Sequence, residues 1–436
     1  MLGHQAHSGL RCQSHGFLRS RVRPPGGVAA AAHPVPRRRE FVICSSSGNR
    51  AAFRSDGCHV FPALRATTRL APRPRLRRSG TAFLVATALL ATALLAAGCG
   101  TAAKDSASAD LSQAPLTAAA TTYPLRIDNC GRTLTFDRAP SRVLLTSGAS
   151  VAEAESFIAL GLQDRVVANS QSYGLSDQPG MAEQVAALPT GGLTLNQNHA
   201  VPREQILAQR PDLVVSTWYG EFDDKIGSIG RDALAAAGIQ GFVDPANCVL
   251  GNPNASAADK DKAKAQTVEA SFDLLLTLGR IFDVQQRAVD YVRQQRDRIA
   301  AVQQRVAGQD RPNVLLVYPG MTGMNSNGLP AVFGGGICDD VINRAGGRNP
   351  FGGKDFDELA DVNAEALAAA PVDLLVIGRW KATEDAAKMA DDLFAKYPQW
   401  AASKNKKYIT LSDSPYLGPL NAVAIEKIAD ALHPGH

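Results

Sequence analysis

From Val143 onward, short β-branched runs alternate with segments of helical period, which restricts the chain to a mostly parallel sheet flanked by helices. The strand candidates are Val143–Thr146, Val166–Ala168, Leu213–Ser216, Val314–Tyr318, Leu374–Gly378 and Tyr408–Leu411. Three precede and three follow one long helical pattern, Val268 to Val306. Its apolar residues include Leu274, Leu278, Ile281, Phe282, Ala288, Val292, Ile299, Val302 and Val306. Two α/β lobes joined by one long helix is the simplest architecture with that order.

An internal repeat supports the division. Glu204 through Val215 compares with Glu365 through Val376: in each, a Glu opens a short helix and an Asp eight residues later opens a buried strand. Matching elements imply matching surface positions on the two lobes. On its own, each Glu is also an acid favourably placed in a first helical turn.

The charge of the chain is divided unevenly. Residues 1–80 hold fifteen Arg, no Lys, and only Glu40 and Asp56 as acids, a net +13 against +5 for all 436 residues, so the remainder carries −8. The basic residues lie in a Pro- and Ser-rich stretch without apolar period, and a nucleic-acid partner is therefore not expected. Residues 1–78 read as a disordered or misassigned leader. Residues 79–98 read as a signal peptide, because Arg73-Pro74-Arg75-Leu76-Arg77-Arg78 precedes an uncharged run from Thr81 to Ala97 and then Gly98-Cys99-Gly100. A cysteine at the cut makes the segment a lipobox, with Cys99 the lipidation site, although Leu95 lies four residues before Cys99 and Ala96 takes the usual Leu position. The run is short of the roughly 20 apolar residues a spanning helix needs. Residues 99–122, rich in Ala, Ser and Thr, read as a flexible tether. A protein held by lipid on the outer face of a cell membrane is the expectation.

Several segments resemble, in order, the solute-binding lipoproteins of ABC importers for ferric siderophores, haem and cobalamin, the helical-backbone class of periplasmic binding protein. They are Tyr123-Pro124-Leu125 through Phe136, Ala139 through Val143, Ala159 through Val167, Arg210 through Val215, Leu278 through Asp283, Ala345 through Asn349, Gly418 through Asn421 and Leu432-His433-Pro434. The resemblance implies two Rossmann-like lobes, 123–265 and 309–436, bridged by one helix over 266–308, with a ligand cleft between them. It implies capture of a bulky chelate, commonly a ferric siderophore, with cobalamin, haem or another bulky anionic cofactor as alternatives. It further implies delivery by a monomer to a dimeric permease, whose arginines would meet one Glu on each lobe. By position these are Glu204 and Glu365, the pair that opens the repeat.

The cleft can also be approached from the residues. Ligands of open α/β sheets bind beyond the carboxyl ends of the strands. That rule selects Tyr173, Trp218, Tyr219, Tyr318, Arg379, Trp380 and Tyr416, which hold two of the three Trp and four of the eight Tyr. Aromatic walls suit a large chelated ligand, and Arg379 could pair with an anionic group. Asn325, Ser326 and Asn327 either bond ligand or shape their loop.

Beyond the leader and Cys99 lie Cys130, Cys248 and Cys338. Outside the membrane a disulfide can persist, and Cys130 with Cys248 would tie two segments of the first lobe, although spacing alone does not fix connectivity. His199, His433 and His436 are too few and too scattered for a bare metal site. No cofactor is therefore expected, and metal would arrive inside a chelate. An envelope-anchored enzyme is the different-class alternative, yet there is no nucleophile elbow or dinucleotide fingerprint, and Gly347 to Lys354 fails phosphate-loop spacing with Asp355 following the Lys. An adhesion protein would show surface repeats beyond the lobe duplication.

Overall fold

The structure is a computed structural model that describes residues 118–146 and 150–435. The segments expected to be leader and signal peptide, the expected lipidation site Cys99 and most of the expected tether lie outside the described residues, as does His436. Among the described residues no helix is long and apolar enough to cross a membrane.

The first lobe opens with a hairpin, β1 (Leu125–Asn129) and β2 (Arg132–Phe136), turned by Cys130 and Gly131. Both turn residues have positive φ, 51° and 74°, the requirement of a two-residue turn matched to strand twist. There follow β3 (Val143–Thr146), α1 (Ala152–Ala159), β4 (Val166–Asn169), α2 (Met181–Ala186), α3 (Arg203–Ala208), β5 (Leu213–Ser216), α4 (Arg231–Ala236) and β6 (Gln240–Val243). Their sheet has the order β4-β3-β5-β6, all parallel. Asn129 pins the hairpin to its edge: its Nδ2 donates to the Val243 carbonyl at 2.7 Å, and its Oδ1 accepts from Val243 N and Arg231 Nη2, both at 2.9 Å.

Three helices follow: α5 (Ala257–Lys264), α6 (Glu269–Phe282) and α7 (Gln285–Val306). The single helix expected over 266–308 is thus two. Asp283 enters the left-handed region (φ 57°), Val284 N bonds back to the Gly279 carbonyl at 2.8 Å, and the chain reverses. The helices then run antiparallel. Arg296 pairs with Glu269, and a Cβ built on Gly279 would stand 2.7 Å from that of Ala288. The apolar spacing stays helical through the corner, no glycine or proline stands at the turn itself, and Gly279 lies a turn before it. That is why the break is invisible in the sequence.

The second lobe contains β7 (Val314–Tyr318), β8 (Ala331–Phe333), α8 (Gly336–Arg344), α9 (Phe356–Ala360), α10 (Ala364–Ala369), β9 (Leu374–Gly378), α11 (Ala386–Lys396), α12 (Ala401–Asn405), β10 (Tyr408–Leu411) and α13 (Asn421–Leu432). The order β8-β7-β9-β10 repeats that of the first sheet, with antiparallel β8 in the place of parallel β4. The repeat seen in the sequence has a physical cause. Asp212 accepts from Ser141 N, Ser141 Oγ and Arg142 N, while Asp373 accepts from Asn313 N and Nδ2. Each aspartate therefore fastens the start of its own strand to the residue that opens the central strand beside it.

Strand residues alternate between two cores. Val143, Leu145, Leu213 and Val215, with Val314, Leu316, Leu374 and Val376, face a core shared with α6 and α7. Leu144 and Val214 face an outer core of the first lobe, and Leu315, Val317, Leu375 and Ile377 one of the second. The chain crosses between the lobes three times. Lys264 of α5 pairs with Asp355 of the second lobe at 3.0 Å, and Val268 N donates to Asp340 of α8 at 2.9 Å. At its far end α6 meets the first lobe, where Phe282 packs on Phe157. Returning, α7 runs from an Arg287 bond to the Leu160 carbonyl to an Arg305–Asp430 pair on α13. Thr121, placed by the sequence in the tether, already belongs to the body, because its N–H donates to Asp283 at 2.7 Å and its hydroxyl to the Arg280 carbonyl at 2.6 Å.

Candidate ligand cleft

The carboxyl ends of the strands in both sheets meet along one seam. From the first lobe come Glu153 and Glu155 on α1, the segment 170–177 after β4, Thr217 after β5 and Asp244 after β6. From the second come Tyr318 at the end of β7, Arg379 and Trp380 after β9, and Ser412 through Tyr416 after β10. The seam is closed by Asp177. Its Oδ2 accepts from Ser412 N at 2.7 Å and Ser414 Oγ at 2.6 Å, with longer bonds from Ser412 Oγ and Ser414 N, and its Oδ1 accepts from Lys427 Nζ at 2.9 Å.

Four of the aromatic residues singled out by the sequence, Tyr173, Tyr318, Trp380 and Tyr416, are brought together here. Tyr173 of the first lobe meets the Trp380 ring of the second edge-on, with centroids 6.4 Å apart. Tyr318 lies against Phe333 at 4.5 Å and Tyr416 at 5.9 Å, and its hydroxyl donates to the Ser412 carbonyl. Gly378 admits that ring, since a Cβ there would stand 2.3 Å from Tyr318 Cζ. Lys381 lies 3.9 Å over the Trp380 ring, and Arg379 Nη2 donates to the Ala382 carbonyl at 3.0 Å.

The other candidates sit elsewhere. Trp218 is wedged within the first lobe against Gly220 and Gly251, and Tyr219 packs on that lobe's outer core. Asn325 is spent on its loop, donating to the Val362 carbonyl at 2.9 Å and accepting from Asn327 N at 2.8 Å. Ser326 N donates to the Ala360 carbonyl and Asn327 Nδ2 to Val362, so this trio shapes the loop. Cys130 is joined to Cys248 with Cα atoms 5.2 Å apart, which ties the hairpin turn to the loop after β6. Cys338 is buried and free, its thiol pushed up to about 12 by burial. Glu204 and Glu365 are exposed in the first turns of α3 and α10, and neither carboxylate bonds to another described residue.

Sequence reasoning passed over the acids of the seam. Glu153 accepts from Thr217 Oγ1 at 2.8 Å and Gln171 Nε2 at 2.9 Å, Glu155 from Ser176 Oγ at 2.7 Å, Asp244 from Ala246 N at 3.1 Å and Glu221 from Thr146 Oγ1 at 3.1 Å. All four are at most 2% exposed. Burial raises each carboxyl above its usual range, strongly for Glu155, where Asp413 adds to it, and for Asp244, where Glu153 does. The rule that selected the aromatics selects Asp413 and Glu153 equally well; Asp244 follows a strand the sequence does not advertise.

Thirteen buried side-chain polar atoms lack a hydrogen-bond partner among the described residues, and seven line this seam: Glu153 Oε1, Glu155 Oε2, Tyr173 Oη, Asp244 Oδ2, Arg379 Nε, Trp380 Nε1 and Tyr416 Oη. Buried polar groups are ordinarily satisfied, and such a concentration is what a site for a polar ligand requires. Among the described residues no three His, Cys, Asp or Glu are grouped to hold a metal ion.

A family model described as periplasmic binding protein matches residues 149–415. The chain belongs to the periplasmic binding protein family. Its lobes, each with its own sheet and joined through helices, place it in the helical-backbone class. The fold recurs in a protein from an ABC-type Fe3+-hydroxamate transport system of Saccharomonospora viridis, at 24% identity and TM-score 0.54, over 72% of this chain and all of that one. It also recurs in a periplasmic binding protein of Veillonella parvula, at 19% identity and TM-score 0.56, over 71% and 97%. A search of curated proteins finds no match. Periplasmic binding proteins bind substrates for ABC permeases rather than transform them, and they work outside the cytoplasm.

Proposed function

We propose that this periplasmic binding protein captures a bulky chelate, foremost a ferric siderophore, in the seam between its lobes and delivers it to an ABC permease. The observation that carries the reading is the set of seven unpartnered polar atoms gathered with Tyr173, Trp380, Tyr318 and Tyr416 where the strand ends of both lobes meet. Aromatic rings supply flat apolar walls, and convergent polar atoms fix orientation. The protein from a hydroxamate transport system shares the fold, which agrees with this class of ligand. Metal enters as cargo. Trp380 provides the signal for a test: quenching of tryptophan fluorescence in the purified full-length chain by ferric siderophores, with cobalamin and haem alongside. Saturable one-to-one quenching by a ferric siderophore is expected, and silence across the panel rejects the reading.

Delivery is assigned to Glu204 and Glu365. They occupy equivalent first turns, each eight residues before an aspartate with the same structural task, and both are exposed. Two carboxylates at related positions can fix the orientation of the protein on a two-fold permease. Reversing both charges, Glu204→Lys with Glu365→Lys, is expected to reduce permease-dependent uptake at least about tenfold while ligand quenching is retained. Uptake at the parental rate would remove the assignment.

A further inference from the structure

The lining of the seam bears on the charge of the ligand. Six carboxyl groups lie in the seam or beneath its first-lobe side: Glu153, Glu155, Asp177, Glu221, Asp244 and Asp413, each buried. Asp177 is the one with a basic partner, Lys427. Among the other five, Glu153 Oε1 and Asp244 Oδ2 have no hydrogen-bond partner, and Glu155 Oε2 has no donor other than the neighbouring carboxyl of Asp413. No arginine or lysine offsets the burial of Glu153, Glu155, Asp244 or Glu221. Ser147, Gly148 and Ala149, which precede α1 and lie outside the described residues, add no basic group.

A second, independent feature points into this acid group. Tyr173 is 8% exposed, its hydroxyl makes no well-aligned hydrogen bond, and its neighbours are Glu153 on one side of the seam and Tyr416 and Asp413 on the other. It stands where one ligand would meet both sets of acids. A buried carboxyl is either paired with a base or holds a proton; burial drives these towards the protonated form, and a ligand cation would supply the pairing that the protein lacks and displace the proton. A bare metal ion is a poor candidate for that partner, because the described residues hold no grouping to coordinate one. Near the same aromatic rings, Arg379 Nε and Trp380 Nε1 are donors in want of acceptors. The seam therefore asks for two things at once, an oxygen-rich face and a positive charge.

Resting on the function proposed above, we infer that the cleft selects ferric chelates bearing a protonated amine, whose oxygen-rich face meets Arg379, Trp380 and the tyrosine hydroxyls while the cationic arm reaches Glu155, Glu153 and Asp244. Polyanionic chelates, which offer these acids no positive charge, bind more weakly. Charge complementarity of this kind discriminates between partners by penalising the wrong sign as well as rewarding the right one.

The experiment is a fluorescence titration of the full-length chain with three probes. The first is a ferric linear trihydroxamate carrying one terminal ammonium, the second is the same chelate N-acetylated on that amine, and the third is a triply anionic ferric tricatecholate. The ammonium form is expected to bind about tenfold or more tightly than its acetylated twin, with the tricatecholate weakest of the three. In the near-isosteric double variant Glu155→Gln, Asp244→Asn the ratio between the two trihydroxamates should collapse towards one. Equal binding of the two trihydroxamates by the parent chain, or tightest binding of the tricatecholate, overturns the charge assignment and leaves the chelate-binding reading in place. Binding of none of the three overturns the charge assignment together with the ferric-siderophore reading. The comparison within the parent chain decides the matter even if the double variant does not fold.

Discussion

Asp212 and Asp373 do one structural job twice. Each accepts backbone and side-chain donors at the mouth of a central strand, so replacement by alanine strands N–H groups that have no other partner. Asp212→Ala and Asp373→Ala are each expected to cost about 2 kcal/mol, read as a lower urea midpoint at unchanged slope. The motif was legible as a repeated Glu-to-Asp spacing, but its purpose was not, because the donors at Ser141, Arg142 and Asn313 are distant in sequence. Glu155 shows the opposite limit: nothing in its neighbourhood of the chain reveals that folding buries it beside Asp413. Its carboxyl is raised by folding, so the folded state holds a proton that the unfolded chain has lost. The stabilising contribution is complete below the ordinary value of 4.5 and disappears as pH rises through the higher folded value. Glu155→Gln is therefore expected to raise the melting temperature of the ligand-free protein at pH 7, and to flatten the gain in stability seen on acidification towards 4.5. A parental pH profile in the variant would contradict this.

The interior strands declared themselves because both faces of a parallel sheet are buried, which makes each a continuous apolar run. The edge strands β6 and β8 did not. The segment Gln240-Gly241-Phe242-Val243 is short and broken by a glycine, where a Cβ would come within 3.1 Å of Leu234. The replacement of parallel β4 by antiparallel β8 likewise has no signature in three residues. The α6–α7 corner was the largest departure. A non-glycine residue carries the left-handed conformation, and the residue that makes the corner possible, Gly279, lies a turn before it. Gly279→Leu would drive side-chain atoms into Ala288, an overpacking cost of about 2 kcal/mol. The expected result is a lower urea midpoint, measured by circular dichroism; parental stability would show that the helices can separate freely.

At the largest scale, the described residues form two four-stranded sheets that meet along one acid-rich seam, and Asp177 bonds across it to Ser412, Ser414 and Lys427. Asp177→Ala removes four donors' acceptor and the partner of Lys427, so the ligand-free variant should open. A larger radius of gyration by small-angle scattering and faster release of bound chelate are expected, and unchanged scattering would show that the shared core alone sets the closure. That core, with three chain crossings, limits how far opening can go. A joint of three struts bends slightly but resists torsion, so the positions of Glu204 and Glu365 relative to one another are expected to differ little between loaded and unloaded protein. On the docking scheme proposed above, a permease gripping these two points measures a distance that hardly changes. Unloaded protein would then occupy the transporter nearly as well as loaded protein, and a cell that makes more binding protein than its ligand supply can fill would slow its own uptake.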